Sequence, residues 1–176
     1  ADEPNAVVEL NDANNVRAAA SPTAISLFRP DPVMTAVSAP LTGATGKTLS
    51  VANTVQNIGP APVASPGFVI RFYLSTDQTL DGSDVLLSPT RTVASLAANA
   101  VSTATTLVTI PANTPAPASY YILAVADEPN TVVELDETNN QRATGTQTQI
   151  NLFLPDLKMT ALSAPATGAT GKTLAV

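Results

Sequence analysis

The amino-acid sequence predicts an all-β protein, a sandwich of short strands, and three observations support this fold class. The 176 residues include 15 prolines and are rich in Ala, Thr and Val, a composition that interrupts helices and favours pleated strands. Apolar and Thr-rich runs alternate with turn sequences at the spacing typical of sandwiches. The clearest run, FVIRFYLS (68–75), alternates apolar and other side chains, which indicates a strand with one face in a core.

Seven strands are predicted in order along the chain. They lie near residues 33–38, 48–57, 68–75, 84–94, 102–110, 120–126 and 142–152. The connections NIGPAPVASPG, LAAN and PANTPAPA carry the Pro, Gly and Asn typical of turns. Seven strands in about 120 residues fit an immunoglobulin-like or fibronectin-III-like seven-stranded β-sandwich. Tyr120 and Tyr121 are both candidates for the corner tyrosine of such a fold.

A long internal repeat sets the organisation of the chain. Segment 1–51 recurs at 126–176 without a gap, a period of 125 residues, with about two-thirds of the paired positions identical. Such a period indicates a tandem array. We therefore predict the end of one repeat (1–29), one complete sandwich (30–154) and the first strands of the next repeat (155–176), an excerpt from a longer array. The links LFRPDP and LFLPDL are short and contain proline, which favours a stiff joint.

Composition and charge argue against several classes of function. The net charge of −6 disfavours a nucleic-acid partner, and no stretch approaches the ~20 apolar residues of a membrane helix. The chain contains no Cys for disulfides or thiolate metal sites and no His to act as the usual general base. We predict no catalytic residue, no enzyme activity and no membrane insertion in this segment.

One Gly-rich motif resembles a phosphate-binding loop without meeting its requirements. GATGKT (43–48) recurs at 168–173, but Leu41 stands where the motif needs its first glycine. A predicted strand follows it, whereas the motif needs a helix. The sequence therefore predicts a turn between strands.

The acidic loop STDQTLDGSD (75–84) is the first candidate metal site. Asp77 and Asp81 match the first and fifth positions of a helix–loop–helix calcium loop, but its twelfth position is Ser88 rather than Glu. One interpretation is a weak Ca²⁺ site formed by Asp77, Asp81 and Asp84 with backbone carbonyls. The alternative is a solvated turn whose carboxylates accept backbone N–H bonds.

The second acidic loop, DEPNTVVELDETNN (127–140), is a candidate joint between repeats. Its candidate ligand residues are Asp127, Glu134, Asp136 and Glu137. The structural interpretation, which we favour, is a long connection that Val132, Val133 and Leu135 pin to the sandwich. The asparagine pair at 139–140 then turns the chain into the last strand, because Asn tolerates left-handed backbone.

The order of these motifs resembles one known family. PDPVMTAVSAP, TLSVANTVQNIGPAP, FYLSTDQTLDGSDVLL, VTIP and YYILAVADEPNTVVELDETNN follow one another as in the CARDB domain, the cell-adhesion-related domain found in bacteria. The resemblance covers the whole period. It implies an Ig-like sandwich, commonly arrayed in large secreted or surface proteins of bacteria and archaea.

Together these observations predict a non-catalytic extracellular structural repeat at a cell surface, forming a stalk, filament or adhesin extension. Its partners would be neighbouring repeats and, in a filament, identical chains. In a stack, loop 75–84 of one repeat would face loop 127–140 of the next, and any bound divalent cations would bridge them. The rival functions are an accessory domain of a larger secreted enzyme and a binding module for carbohydrate or a surface polymer. Scarce aromatic residues count against sugar binding.

Overall fold

The computed structural model describes residues 6–173 and 175, and its regular elements are almost all strands. In these residues a short 3-10 helix, η1 (Asp12–Asn14), precedes nine strands: β1 (Pro32–Ser38), β2 (Thr42–Ala44), β3 (Thr48–Asn57), β4 (Phe68–Ser75), β5 (Val85–Val93), β6 (Val101–Thr109), β7 (Ala118–Ala126), β8 (Gln141–Ala143) and β9 (Thr148–Asn151).

The strands follow the continuous order β1-β3-β6-β5-β4-β7-β9-β2, with β8 also pairing β7. Neighbours are antiparallel except β2 and β9, which are parallel. β5 and β6 pair only at Ser88 and Thr109, so the sheet folds over at that point. The inner faces of β3 and β4 then share one core, which confirms the predicted Ig-like sandwich.

The core follows from the period-2 pattern of the strands. In β4, Phe68, Ile70, Phe72 and Leu74 are all buried, and the inner positions of β3 pack against them. A smaller cluster on the outer face contains Tyr73, Leu123 and Val125. Leu80, from the loop after β4, packs on this second cluster.

Two parts of the strand pattern differ from the prediction. Residues 43–44, predicted as part of the turn 43–48, belong to β2 beside β9, while the turn itself occupies 45–47 with Gly46 at φ 71°. The last predicted strand, 142–152, is two strands, β8 and β9. The chain makes five steps from Ala143 to Thr148 while its partner makes three from Leu123 to Tyr120, so the pairing is interrupted around Gly145.

Tyr120 is the corner tyrosine. Its hydroxyl donates a 2.8 Å hydrogen bond to the carbonyl oxygen of Pro115, whereas Tyr121 packs against the outer cluster. We expect Tyr120→Phe to lower the free energy of unfolding by about 1 kcal/mol, because Pro115 loses its partner. Tyr121→Phe is the matched control and should change stability by under about 0.5 kcal/mol. Urea denaturation measures both values, and equal effects would contradict the assignment.

The antiparallel strands sort the loops between two ends of the sandwich. We call the end where β1 begins the proximal end and the end where β9 finishes the distal end. Because Ile70 pairs with Ala126 and Ser75 with Tyr121, loop 127–140 lies at the proximal end and loop 76–84 at the distal end. This confirms the predicted separation of the two acidic loops.

Candidate functional site

The chain enters the proximal end through three residues that two loops hold by hydrogen bonds. The carbonyl oxygens of Arg29, Pro30 and Asp31 accept bonds of 3.3, 3.0 and 2.8 Å from the amides of Ala61, Leu135 and Ile58. We call residues 29–31 the docked linker. Its backbone is part of the sandwich although it precedes the first strand.

Asn57, at the end of β3, connects the docked linker to two loops. Its side-chain oxygen accepts bonds from the amides of Asp31 (2.9 Å) and Gly59 (3.1 Å). Its side-chain nitrogen donates to the carbonyls of Ala61, Leu96 and Ala97, at 2.8, 3.1 and 3.2 Å. Asn57 is fully buried. This role was not predicted, although Asn57 follows Val51 and Val55 on the inward face of β3, which was the available signal.

Gly59 permits the close approach of the docked linker. A Cβ atom at this position would lie 2.5 Å from the Arg29 oxygen and 2.7 Å from the Asp31 nitrogen. Both are backbone atoms, so no side-chain rotation relieves the clash. Gly59 does not have the left-handed backbone that favours glycine. Proximity to the linker alone therefore explains glycine at this position.

Asp127 organises the start of loop 127–140. It is buried and adopts a φ of 51°, a conformation that Asp tolerates better than most residues. Its carboxylate accepts bonds from the amide and hydroxyl of Thr131, at 3.0 and 2.6 Å, and from the amide of Val132 at 2.7 Å. These bonds give Asp127 a structural role in the loop.

Asp136 and Glu137 also fold the loop onto itself. One oxygen of Asp136 accepts bonds of 2.8 and 2.6 Å from the amide and hydroxyl of Thr138, and these bonds hold the pKa of its carboxyl below the usual range. The two oxygens of Glu137 accept a 2.9 Å bond from the amide of Glu134 and a 2.7 Å bond from the side chain of Asn130.

Glu134 is the exception among these acids, because its carboxylate has no partner. The residue is 3 % exposed, and neither of its carboxylate oxygens has a hydrogen-bond partner among the described residues. Burial raises the pKa of Glu134 to about 8. The Asn140 side-chain amide, which is near the carboxylate but outside hydrogen-bonding geometry, acts against this rise, while the charges of Asp127, Glu137 and Asp31 add to it. Glu134 was among the predicted candidate ligands, but nothing in the sequence distinguished it from its acidic neighbours.

Two asparagine side chains of the same loop are also incompletely satisfied. The side-chain nitrogen of Asn139 donates a 2.9 Å bond to Asp31. The side-chain oxygens of Asn139 and Asn140 are buried without a partner in the part of the chain that the structure describes.

The apolar residues of this loop differ from the expected packing. Val132 packs on the core, but Val133 and Leu135 are exposed, so Glu134 rather than these two side chains points inward.

In the distal loop 76–84, the carboxylates are used in local turns. Asp77 accepts a 2.7 Å bond from the amide of Thr79, and Asp84 accepts a 3.0 Å bond from the amide of Asp81. Asp81 accepts bonds from the hydroxyl and the amide of Ser83, which hold the pKa of its carboxyl below the usual range. Within residues 6–173 and 175, no three His, Cys, Asp or Glu residues are grouped so that they could hold a metal ion. Ca²⁺ binding by Asp77, Asp81 and Asp84 stays a prediction.

The distal loop is also hydrogen-bonded to β8 of its own sandwich. The Leu80 amide donates to the side-chain oxygen of Gln141 at 3.2 Å, and the side-chain nitrogen of Gln141 donates to the Gln78 carbonyl at 3.0 Å. These bonds join the loop to β8. They fix its position relative to the sandwich.

The chain leaving β9 is docked at the distal end. Asn151 accepts a 3.0 Å bond from the amide of Thr45, and the Phe153 amide donates a 3.1 Å bond to the Thr45 hydroxyl. The Lys47 ammonium lies 3.7 Å from the centroid of the Phe153 ring, a cation–π contact. The GATGKT motif thus supplies a turn that holds the departing chain.

A cavity of about 260 Å³ lies beside the proximal loop and offers no aromatic platform. Its lining includes Phe68, Glu128 and Pro129. Phe68, the aromatic residue in this lining, is only 3 % exposed. Sugar rings stack on exposed aromatic faces, so the cavity does not favour carbohydrate binding.

Comparison with known proteins identifies the domain type. The sequence profile of the CARDB family matches residues 29–144, the stretch that contains the docked linker, β1 to β8 and both acidic loops. The chain belongs to the CARDB family. CARDB is a non-enzymatic domain type. A search of the curated proteins finds no match to the chain.

Solved structures of CARDB domains share this fold. The chain is 25% identical to a CARDB domain from Pyrococcus furiosus that was crystallised in complex with di-metal ions, with a TM-score of 0.50 over 73% of this chain and 94% of that one. The solution structure of the same domain gives 25% identity and a TM-score of 0.51, covering 71% and 98%. In the part of this chain that the structure describes, no helix has the length and apolarity needed to cross a membrane.

Proposed function

We propose that this chain is part of a tandem array of CARDB sandwiches that serves as a stiff, non-catalytic extension of an extracellular surface protein. A stalk or an adhesin extension fits this description best. The observation that carries the proposal is the docking of the chain at both ends of the sandwich.

The internal repeat shows how little chain is left between two domains. Phe153 is bonded to Thr45 of the domain that precedes it. The next position, Leu154, corresponds to Arg29 in the repeat register, and the Arg29 carbonyl is bonded to the domain that follows it. Applied to consecutive repeats, these contacts leave no undocked residue at the joint. Sandwiches joined in this way abut and have little freedom to bend.

The faces that meet at such a joint are unlike each other, which suits a head-to-tail array. The distal end presents Lys47 and the loop 76–84, and the proximal end presents the loop 127–140 with its exposed Asp136. A divalent cation between the acidic loops is part of this proposal. The family assignment and the repeat support an extracellular location.

The matched glycine pair Gly59 and Gly82 tests the role of the linker. We expect Gly59→Ala to displace the docked linker, because the added Cβ meets its backbone at 2.5 Å, and to lower the free energy of unfolding by about 1–3 kcal/mol. Gly82→Ala is the control, since nothing lies within 4 Å of its added Cβ.

Small-angle scattering on three joined copies of residues 30–154 measures the effect of each substitution on stiffness. The unchanged protein and the Gly82→Ala variant should both scatter as extended rods, and Gly59→Ala in every copy should give a shorter, broader distance distribution. A flexible profile for the unchanged protein would contradict the stiff joint. A shift in mass with concentration would instead support a filament of identical chains, and selective binding on a glycan array would support the carbohydrate-binding alternative.

A further inference from the structure

We propose a divalent-cation site at the proximal end, formed by the Glu134 carboxylate with the side-chain oxygens of Asn139 and Asn140. Four oxygen atoms of these three residues are buried without a hydrogen-bond partner in the described chain. When Glu134 is ionised, all four are hydrogen-bond acceptors and cannot satisfy one another. The group therefore needs a donor or a cation.

The charges around Glu134 favour a cation. Asp31, Asp127 and Glu137 all act on Glu134 as like charges. The ion pair found in the described residues joins Arg71 to Glu128 at 3.8 Å and leaves Glu134 uncompensated. A buried, unpaired charge is costly, so without a cation the acid keeps its proton at neutral pH. A bound cation would supply the compensating charge that lets Glu134 ionise.

The ligand types indicate which cation. Carboxylate and amide oxygens are hard ligands that suit Ca²⁺ and Mg²⁺. The three residues come from one irregular loop, and Ca²⁺ accepts flexible geometry whereas Mg²⁺ demands a near-ideal octahedron. We assign the site to Ca²⁺, with backbone carbonyls or water completing the coordination.

The site adjoins the docked linker on two sides. The residue after Glu134, Leu135, donates its amide to Pro30, and Asn139 donates to Asp31. A cation held by Glu134 and Asn139 would therefore fix both of these donors in place. This consequence rests on the proposed function, whereas binding of the cation itself does not.

Calorimetric titration of the 176-residue chain with CaCl₂, after dialysis against chelator, tests the site. We expect one ion per chain, because the equivalent residue Glu9 in the incomplete copy is exposed, and a dissociation constant on the order of 0.1–1 mM, as in extracellular modules. Glu134→Gln, which keeps the shape and removes the charge, should weaken binding at least about tenfold. The combined variant Asp77→Asn, Asp81→Asn and Asp84→Asn is the control and should bind as the unchanged chain does.

Backbone NMR during the same titration provides a readout that needs no variant. The amides of 134–140 should shift with Ca²⁺, while those of 77–84 should not. The proposal is overturned if the unchanged chain shows neither heat nor shifts, or if Glu134→Gln binds with unchanged affinity. It is also overturned if the triple variant loses Ca²⁺ binding, because that result would place the ion in the distal loop. Stiffness of the array is measured separately by scattering. Failure of the cation site therefore does not contradict the stiff array, and failure of the stiff array does not contradict the cation site.

Discussion

Replacing Asn57 with alanine should lower the free energy of unfolding by about 3–5 kcal/mol. The side chain is fully buried and makes five hydrogen bonds. The substitution leaves the amides of Asp31 and Gly59 and the carbonyl of Ala61 without their partner. The other two carbonyls, of Leu96 and Ala97, keep backbone bonds from the amides of Val63 and Ala100. Each buried orphan costs about 1–3 kcal/mol before relaxation, and water entering the vacated space recovers part of that cost.

Urea denaturation of the variant gives the stability change, and hydrogen exchange of the Asp31 amide locates it. That amide donates to the Asn57 oxygen, so it should lose protection even under conditions in which the variant remains folded. Asn113→Ala is the control, because Asn113 is an exposed asparagine in a loop at the other end. An Asn57→Ala cost below about 1 kcal/mol would show that loops 57–67 and 94–100 hold the linker without this side chain.

Strands with a clear period-2 pattern could be predicted from the sequence, whereas short pairing segments could not. The alternation in FVIRFYLS identified β4 correctly because one buried face leaves a local signature. β2 has no such signature: Thr42–Ala44 contains a glycine and becomes a strand only by pairing with β9, at residues 148–151. That pairing is a tertiary contact, and the local strand propensity of GATGKT does not predict it.

The repeat separates local from tertiary structure within one chain. The incomplete copy forms the same turn as the complete one: Gly171 has a φ of 77° and Gly46 a φ of 71°. The Lys172 and Lys47 amides each make a 3.2 Å bond across their turn. Residues 157–163, however, form no strand, although they match β1. Turn chemistry is encoded in a few residues, but a strand needs its partners.

Burial of the acidic residues, like strand formation, depends on tertiary contacts rather than on the local sequence. The sequence identified loop 127–140 as strongly acidic, and charge alone could not show which carboxylate is buried. A signal was present, because Val132 and Glu134 are two positions apart and share one side of an extended chain. In the incomplete copy, Glu9 has the same flanking residues but is exposed. Burial of this glutamate therefore depends on the sandwich beneath it and not on the motif.

In excess chelator, the unchanged chain should lose as much as about 5 kcal/mol of stability between pH 4.5 and pH 8. Glu134 ionises at its ordinary pKa of 4.5 in the unfolded chain, but at about 8 in the folded protein. Between these values unfolding releases a proton, so each pH unit favours the unfolded chain by about 1.4 kcal/mol. The stabilisation is complete below pH 4.5 and absent above pH 8. Asp31, Asp127 and Glu137 face Glu134, and their charges raise its pKa.

The variant Glu134→Gln isolates this effect. Glutamine resembles the protonated acid and cannot ionise, so its stability should stay level across the window and exceed that of the unchanged chain at pH 8. Asp136→Asn is the control: Asp136 is exposed, and its hydrogen bonds from Thr138 hold the pKa of its carboxyl below the usual range. Chemical denaturation at a series of pH values gives the slopes. A level profile for the unchanged chain would mean that the Glu134 carboxylate is solvated in the folded protein, and the burial that supports the cation site would be wrong as well.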